Sequence, residues 1–208
     1  MDPYYKFNDK PYYKLNDKMI KYKKNYLTKT FKKKGLKNLN KLRVLDIGSG
    51  SGWMTIASAI IAKKGFVYGI EPSDAMLKDA RNNKKIFIPK LNNIKFFKGN
   101  GIDLHFKTKN QFDVILYINS LHFIKKEDRI ESLNLSNNLL KKDGLIIFEF
   151  PIWDNDYSEK DNLRIKSCIK LLKNFASNYN YNFEIKKFDT PKIDYKIGLF
   201  QGVIKKTN

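Results

Sequence analysis

The chain has 208 residues, a net charge of +20, 42% hydrophobic residues and a single cysteine, Cys168. That length suits one core with no need of a metal or disulfide staple, and one cysteine excludes an internal disulfide and fits a reducing, cytoplasmic setting. No apolar run approaches the roughly 18–20 residues of a membrane span, and the opening MDPYYKFNDKPYYK lacks the apolar stretch of a secretory signal.

The excess charge is local. Residues 1–43 hold 14 Lys and Arg against 3 Asp, a net of +11, and the other 165 residues carry +9. This arm opens with a tandem repeat, Pro3-Tyr4-Tyr5-Lys6-Phe7-Asn8-Asp9-Lys10 followed by Pro11-Tyr12-Tyr13-Lys14-Leu15-Asn16-Asp17-Lys18. Two short copies are too few for a solenoid. A Tyr/Lys strip can stack on bases and meet phosphates, so a nucleic-acid partner at residues 1–43 is one reading. A duplicated loose tail in a chain rich in A/T-coded Lys, Asn and Ile is the other. From Met19 to Phe31 the residues Ile20, Leu27 and Phe31 recur at helical spacing, and Lys32-Lys33-Lys34-Gly35 suits a helix end. Residues 1–40 are therefore expected as an arm and helix, and residues 41–208 as the main domain.

Beyond residue 41 strands and helices alternate. Leu42–Ile47 reads as a buried strand, Trp53–Lys64 as a helix closed by Gly65, and Phe66–Ile70 as a second strand. Ser73 caps a helix to about Asn83, and Ile94–Phe97 is a third strand. Phe112–Ile118 is a fourth strand. Lys126–Lys141 reads as a helix with Ile130, Leu133, Asn137 and Leu140 on one stripe. Asp143-Gly144 turns into a fifth strand, Leu145–Phe150. Leu163–Ser177 is helical through Ile165, Ile169, Leu172 and Ala176, and Phe183–Phe188 and Lys196–Lys205 are the closing strands. The pattern implies an α/β, Rossmann-like doubly wound fold with a mainly parallel sheet.

The glycine loop Val44-Leu45-Asp46-Ile47-Gly48-Ser49-Gly50-Ser51-Gly52 joins the first strand to the first helix of the alternating series. A dinucleotide loop needs G-x-G-x-x-G, with the third glycine where the helix packs on the strand. Trp53 holds that position, and the glycines run G-x-G-x-G instead. Asp46, two residues before Gly48, would repel a pyrophosphate and attract an ammonium group. Glu71 ends the second strand, 19 residues after Gly52, where a carboxylate can accept both hydroxyls of a ribose. Asp46, the glycine loop and Glu71 together fit a ligand that is an amino acid at one end and a nucleoside at the other.

These residues resemble the class I S-adenosylmethionine-dependent methyltransferases, in particular the methyltransferase-domain family, motif by motif over residues 42–151. Asp46, Gly48, Ser49, Gly50 and Gly52 match its first motif, and Glu71-Pro72-Ser73 its ribose-binding acid and turn. Gly99-Asn100-Gly101-Ile102 stands where the family has Gly-Asp-Ala, so the resemblance implies an adenine contact at Asn100, Gly101 and Ile102 with Asn in place of Asp. Leu121-His122-Phe123 follows the fourth-strand motif, where the family keeps a residue beside the reactive methyl, implicating Asn119. Leu140-Lys141-Lys142-Asp143-Gly144 replaces the family's Leu-Lys-Pro-Gly-Gly. The resemblance also implies seven strands, the last antiparallel and drawn from residues 195–206, and S-adenosylmethionine as cofactor.

Because the cofactor carries the activated methyl group, few catalytic groups are required. His122 is the candidate general base, with a packed histidine as the alternative; His105, between Leu104 and Phe106, reads as structural. Tyr117, Asn119 and Ser120 read as pocket walls, Trp153, Asp154 and Tyr157 as a substrate loop, and Cys168 as a buried small residue. The fourth strand lacks the Pro-Pro motif of amino methyltransferases acting on DNA, and Cys168 is misplaced for attack on a pyrimidine. Two histidines and one cysteine supply no zinc cluster. A small-molecule acceptor is the leading expectation. An RNA or protein acceptor bound through the basic arm, and a catalytically silent cofactor-binding module, are the alternatives.

Overall fold

The computed structural model describes residues 16–103, 111–153, 159–193 and 196–207. Residues 3–15 of the tandem repeat, His105, Asp154 and Tyr157 lie outside them.

Asn16 accepts the Met19 amide at 2.9 Å and starts α1, Asp17–Lys33. The helix ends at Lys34 and Gly35, whose φ of 82° suits glycine. After it come β1 (Arg43–Ile47), α2 (Trp53–Ile61), β2 (Phe66–Glu71), α3 (Asp74–Phe87), β3 (Ile94–Lys98) and β4 (Phe112–Ile118). The chain closes with α4 (Arg129–Leu139), β5 (Leu140–Trp153), α5 (Glu159–Asn178), β6 (Asn182–Ile193) and β7 (Lys196–Lys205).

The seven strands form one sheet in the order β3-β2-β1-β4-β5-β7-β6. β7 runs antiparallel to both neighbours, and the pairs from β3 through to β5 are parallel. The chain leaves β1 toward β2 on one side and returns to β4 on the other. Ligand crevices of open α/β sheets lie at the carboxyl ends of strands at such a switch point.

Alternation along the strands divides the core. Leu45, Ile47, Ile115, Tyr117, Ile146, Phe148 and Phe150 face α4 and α5, meeting Leu133, Ile165, Leu172 and Phe175. Val44, Val67, Val114, Leu116, Leu145 and Ile147 face the other way, toward Ile20, Leu27 and Phe31 of α1 and Met54, Ile56 and Ala57 of α2. Leu27 and Phe31 are fully buried, and each such side chain stabilises by about 1.5–3 kcal/mol. The helix that the sequence sets beside the basic arm thus shares the core of the sheet.

Several boundaries differ from expectation. α2 stops at Ile61, three residues before Lys64, because the following turn crosses β1 closely: a Cβ on Gly65 would lie 1.9 Å from the Leu42 carbonyl oxygen. α3 continues four residues past Asn83, whose side chain instead donates to the Ser51 carbonyl at 2.9 Å. α4 is shorter than Lys126–Lys141, since Leu140 pairs with Phe112 in the sheet. Its inward stripe also differs: Ile130 is 42% exposed, and Ser132, Leu133, Ser136 and Asn137 are buried. The cause is Tyr117, whose hydroxyl meets Ser132 Oγ at 2.7 Å and Ser136 Oγ at 2.8 Å beneath the helix. Tyr117 therefore faces α4 and is no wall of the crevice.

Candidate active site

The crevice is built from the ends of β1, β2 and β4. After Ile47 the chain turns through Gly48, Gly50 and Gly52, with φ of 72°, 54° and 86°. The Gly48 and Ser49 amides both donate to the Ile70 carbonyl, at 2.8 and 2.9 Å, which ties the loop to β2. A Cβ on Gly48 would lie 2.4 Å from Ser120 Cβ, so the ends of β1 and β4 meet with no space for a side chain. A Cβ on Gly52 would lie 2.9 Å from the Phe96 ring and 3.1 Å from Ala80 Cβ. Close packing of the helix start is thus met at Gly52, which leaves position 53 open to tryptophan. Gly50 differs from both: nothing lies within 4 Å of its Cβ position, so the backbone is open there to a ligand.

Glu71 ends β2 and is 4% exposed. Its Oε2 accepts the Gly50 amide at 2.9 Å and its Oε1 the Ser73 amide at 3.0 Å. Pro72 lies between, exposed at the turn into α3. Asp46 is 1% exposed, and its Oδ2 accepts from the Thr55 hydroxyl at 2.6 Å. Burial pushes its carboxyl up from an ordinary 3.8 to about 7; the Thr55 hydrogen bond opposes this, and the charges of Glu71 and Glu149 add to it.

The turn after β3 presents the third expected contact. Asn100 is exposed, and its Oδ1 accepts the Ile102 amide at 2.8 Å. A carbonyl oxygen has a second lone pair, so an adenine N–H remains within its capacity. Asp103, which closes the same turn, accepts the Asn100 amide at 3.0 Å. Gly101 is buried, and a Cβ there would come within 2.6 Å of both Ile124 Cδ1 and Ser132 Oγ.

At the end of β4, Asn119 takes a φ of 55° while its amide donates to the Glu149 carbonyl at 3.0 Å. Among the described residues, Asn119 Oδ1, Ser120 Oγ and Ser49 Oγ are buried with no hydrogen-bond partner. Buried polar atoms of this kind call for an explanation, and a polar ligand in the crevice supplies one. Open backbone at Gly50, these oxygens, Asp46 and Glu71 together fit a ligand with an ammonium end and a ribose.

His122 lies in a short 3-10 turn and is 5% exposed. Its ring sits 4.1 Å from that of Phe123 and 5.9 Å from that of Phe150, and its carbonyl accepts from Arg129 at 3.0 Å. Cys168 is fully buried in α5, and burial raises its thiol to about 11. Among the described residues no group of His, Cys, Asp and Glu is placed to hold a metal ion, and no helix is long and apolar enough to cross a membrane.

One buried cluster went unread in the sequence. Glu149 on β5 is 1% exposed. The Tyr26 hydroxyl of α1 donates to Glu149 Oε1 and accepts from Gln201 Nε2 of β7. The available signal was an acid inside the apolar run Leu145–Phe150, where a buried charge demands a partner.

A family model described as a methyltransferase domain matches residues 44–144. A protein of Bacillus pumilus (strain SAFR-032), described as an uncharacterized methyltransferase, is 26% identical over 147 residues; the match spans 69% of this chain and 64% of that relative. Among solved structures, a SAM dependent methyltransferase from Aquifex aeolicus has a TM-score of 0.64 at 18% identity, covering 92% of this chain and 99% of its own. A Haemonchus contortus phospholethanolamine N-methyltransferase, in complex with phosphomonomethylethanolamine and S-adenosylhomocysteine, has a TM-score of 0.66 at 14% identity, covering 88% and 53%. At these identities the solved structures establish the fold.

Proposed function

We propose that this protein, whose residues 44–144 match a methyltransferase-domain model, transfers a methyl group from S-adenosylmethionine to a small-molecule acceptor. The observation that carries the reading is the meeting of Glu71 with Gly50 at the mouth of the crevice. It brings a ribose-binding acid to the open point of a loop that Asp46 makes hostile to a pyrophosphate.

In this reading Asp46 attracts the ammonium of the methionine moiety. Gly48, Ser49, Gly50 and Gly52 form the loop that its amino-acid end lies against, and Glu71 meets the ribose, with Pro72 shaping the turn. Asn100, Gly101 and Ile102 border the adenine, and Asn119 lies nearest the methyl. When bound, the cofactor supplies a methyl group already activated by a sulfonium. The chain's own task is to exclude water and to hold the acceptor in line. Where the acceptor must shed a proton, His122 is the candidate base.

The test is a calorimetric titration with S-adenosylhomocysteine and NAD side by side. Binding of the first and indifference to the second is the expected result; the reverse would end the proposal.

One observation favours a second reading, a nucleic-acid substrate. While Ile20, Leu27 and Phe31 of α1 pack inward, Lys18, Lys21, Lys24, Lys29, Lys32 and Lys33 are exposed. Such a face suits phosphates.

A further inference from the structure

We infer that the outer face of α1 is a docking surface for single-stranded nucleic acid, with the Tyr22 ring taking an unpaired base between lysines that meet the phosphates. The inference rests on the nucleic-acid reading above.

Lys18, Lys21, Tyr22, Asn25, Lys29 and Lys32 recur at spacings of three and four along α1, so they share one face, and all of them are exposed. From Lys18 to Lys32 the face is about 21 Å long, at roughly 1.5 Å per residue. Ile20, Leu27 and Phe31 lie on the other side of the helix, buried in the core shared with α2 and the sheet. Packing therefore fixes which residues turn outward. Asp17, in the first turn, is the one acid of the helix.

Elsewhere on the surface lysines meet carboxylates. Lys98 pairs with Asp74, Lys141 with Asp113, and Lys34, just past the helix, with Glu184. Among the described residues, no lysine on the outer face of α1 has such a partner. A row of cations without acids repels itself, and a chain of phosphates relieves that repulsion.

Tyr22 narrows the partner. It is 49% exposed in the midst of the lysines, and Lys23 Nζ lies 5.8 Å from the centre of its ring. An aromatic ring set among cations suits a strand whose bases are free to stack, whereas a duplex hides its base faces. An anionic bilayer would need an apolar helix face to bury. Among the described residues of α1, Tyr22 is the one exposed large hydrophobic, because the others are turned into the core.

The direction of the helix links this face to the crevice. Lys34 meets Glu184, which is level with Val203 and, across β7, with Ile147. Tyr26 meets Glu149, level with Ile118, the last residue of β4. Toward its N-terminus α1 thus advances along the sheet to the carboxyl ends of the parallel strands. A nucleic-acid chain lying along Lys32, Lys29, Tyr22 and Lys18 is led to the edge where the crevice opens.

The experiment follows fluorescence anisotropy of a labelled oligouridylate, a labelled RNA duplex and labelled heparin with the full chain. Wild type should bind oligouridylate with an affinity that falls as salt rises. Tyr22→Ala should weaken oligouridylate about tenfold, the order of one lost base stack, and change duplex and heparin by less than about twofold. Tyr22→Phe, which keeps the ring, should keep the affinity. Lys21→Gln with Lys29→Gln should weaken all three ligands and flatten the salt dependence. An oligouridylate affinity that survives Tyr22→Ala, or an equal loss for heparin, would overturn the inference and leave the nucleic-acid reading standing. A wild-type chain that ignores both RNA probes at low salt overturns that reading itself.

Discussion

The Glu71 carboxylate and the Gly50 amide, 21 residues apart in the chain, are joined by a hydrogen bond of 2.9 Å. The other carboxylate oxygen holds Ser73 at 3.0 Å, so one side chain ties the glycine loop to the start of α3. Charge-assisted bonds of this kind are worth about 1.5–3 kcal/mol each. Glu71→Ala should therefore lower S-adenosylhomocysteine affinity by at least about tenfold, since it removes the proposed ribose acceptor and loosens the loop together. Glu71→Gln should lose less. Calorimetry reads both, and an affinity unchanged in the alanine variant would remove Glu71 from the site.

Gly48 and Ser120 make a second test, of the fold rather than the ligand. A methyl group on Gly48 meets Ser120 Cβ at 2.4 Å, and the φ of 72° is strained for any side chain. Gly48→Ala should destabilise by about 2–4 kcal/mol by urea unfolding, combining overpacking with backbone strain. Adding Ser120→Gly should restore the steric part and leave about 1 kcal/mol of strain. No gain from the double variant would mean that β1 and β4 do not meet as described.

Asp46 predicts a pH dependence. The folded chain, with this carboxyl near 7, holds a proton that the unfolded chain has released near 3.8. Between about pH 4 and pH 7 the Asp46 contribution to stability therefore declines as pH rises. Cofactor affinity should move the other way, strengthening as the carboxylate forms through about pH 7 to meet the ammonium. Asp46→Asn should flatten both trends and weaken binding at pH 8. Parallel thermal melts and titrations from pH 5 to 8 provide the check.

His122 is packed against Phe123 and Phe150, and that environment predicts how its replacement behaves. His122→Phe should retain cofactor affinity and most turnover once an acceptor is found. His122→Ala should lose about 2–4 kcal/mol of stability through the cavity. Loss of the acid limb of the pH–rate profile in His122→Phe, with affinity intact, would instead establish the ring as the general base.

The exposed lysines of α1 separate the two acceptor readings. Truncating α1 would also remove Ile20, Leu27 and Phe31 from the core, so charge reversal is the cleaner test. Lys21→Glu, Lys24→Glu and Lys29→Glu together should leave cofactor binding and thermal stability nearly unchanged. If RNA is the acceptor, the triple variant should abolish a salt-sensitive affinity for RNA; a small-molecule enzyme has none to lose.

The order of elements and the glycine loop were legible because they depend on local rules. Strand and helix periods differ, Gly48, Gly50 and Gly52 take positive φ where only glycine is comfortable, and Ser73 caps the helix that it precedes. The placement of Asp46 and Glu71 was readable for the same reason, each being an acid at the end of an apolar strand. Partners across the sheet were not. That Tyr117 draws Ser132 and Ser136 inward and leaves Ile130 exposed depends on which face of β4 lies beneath α4. That Tyr26 reaches Glu149, 123 residues away, depends on α1 packing across α2 onto β5 and β7. Periodicity marks which residues turn inward along one segment. Only the packed sheet decides which inward residues meet, because burial leaves every polar atom to find its partner in space rather than along the chain.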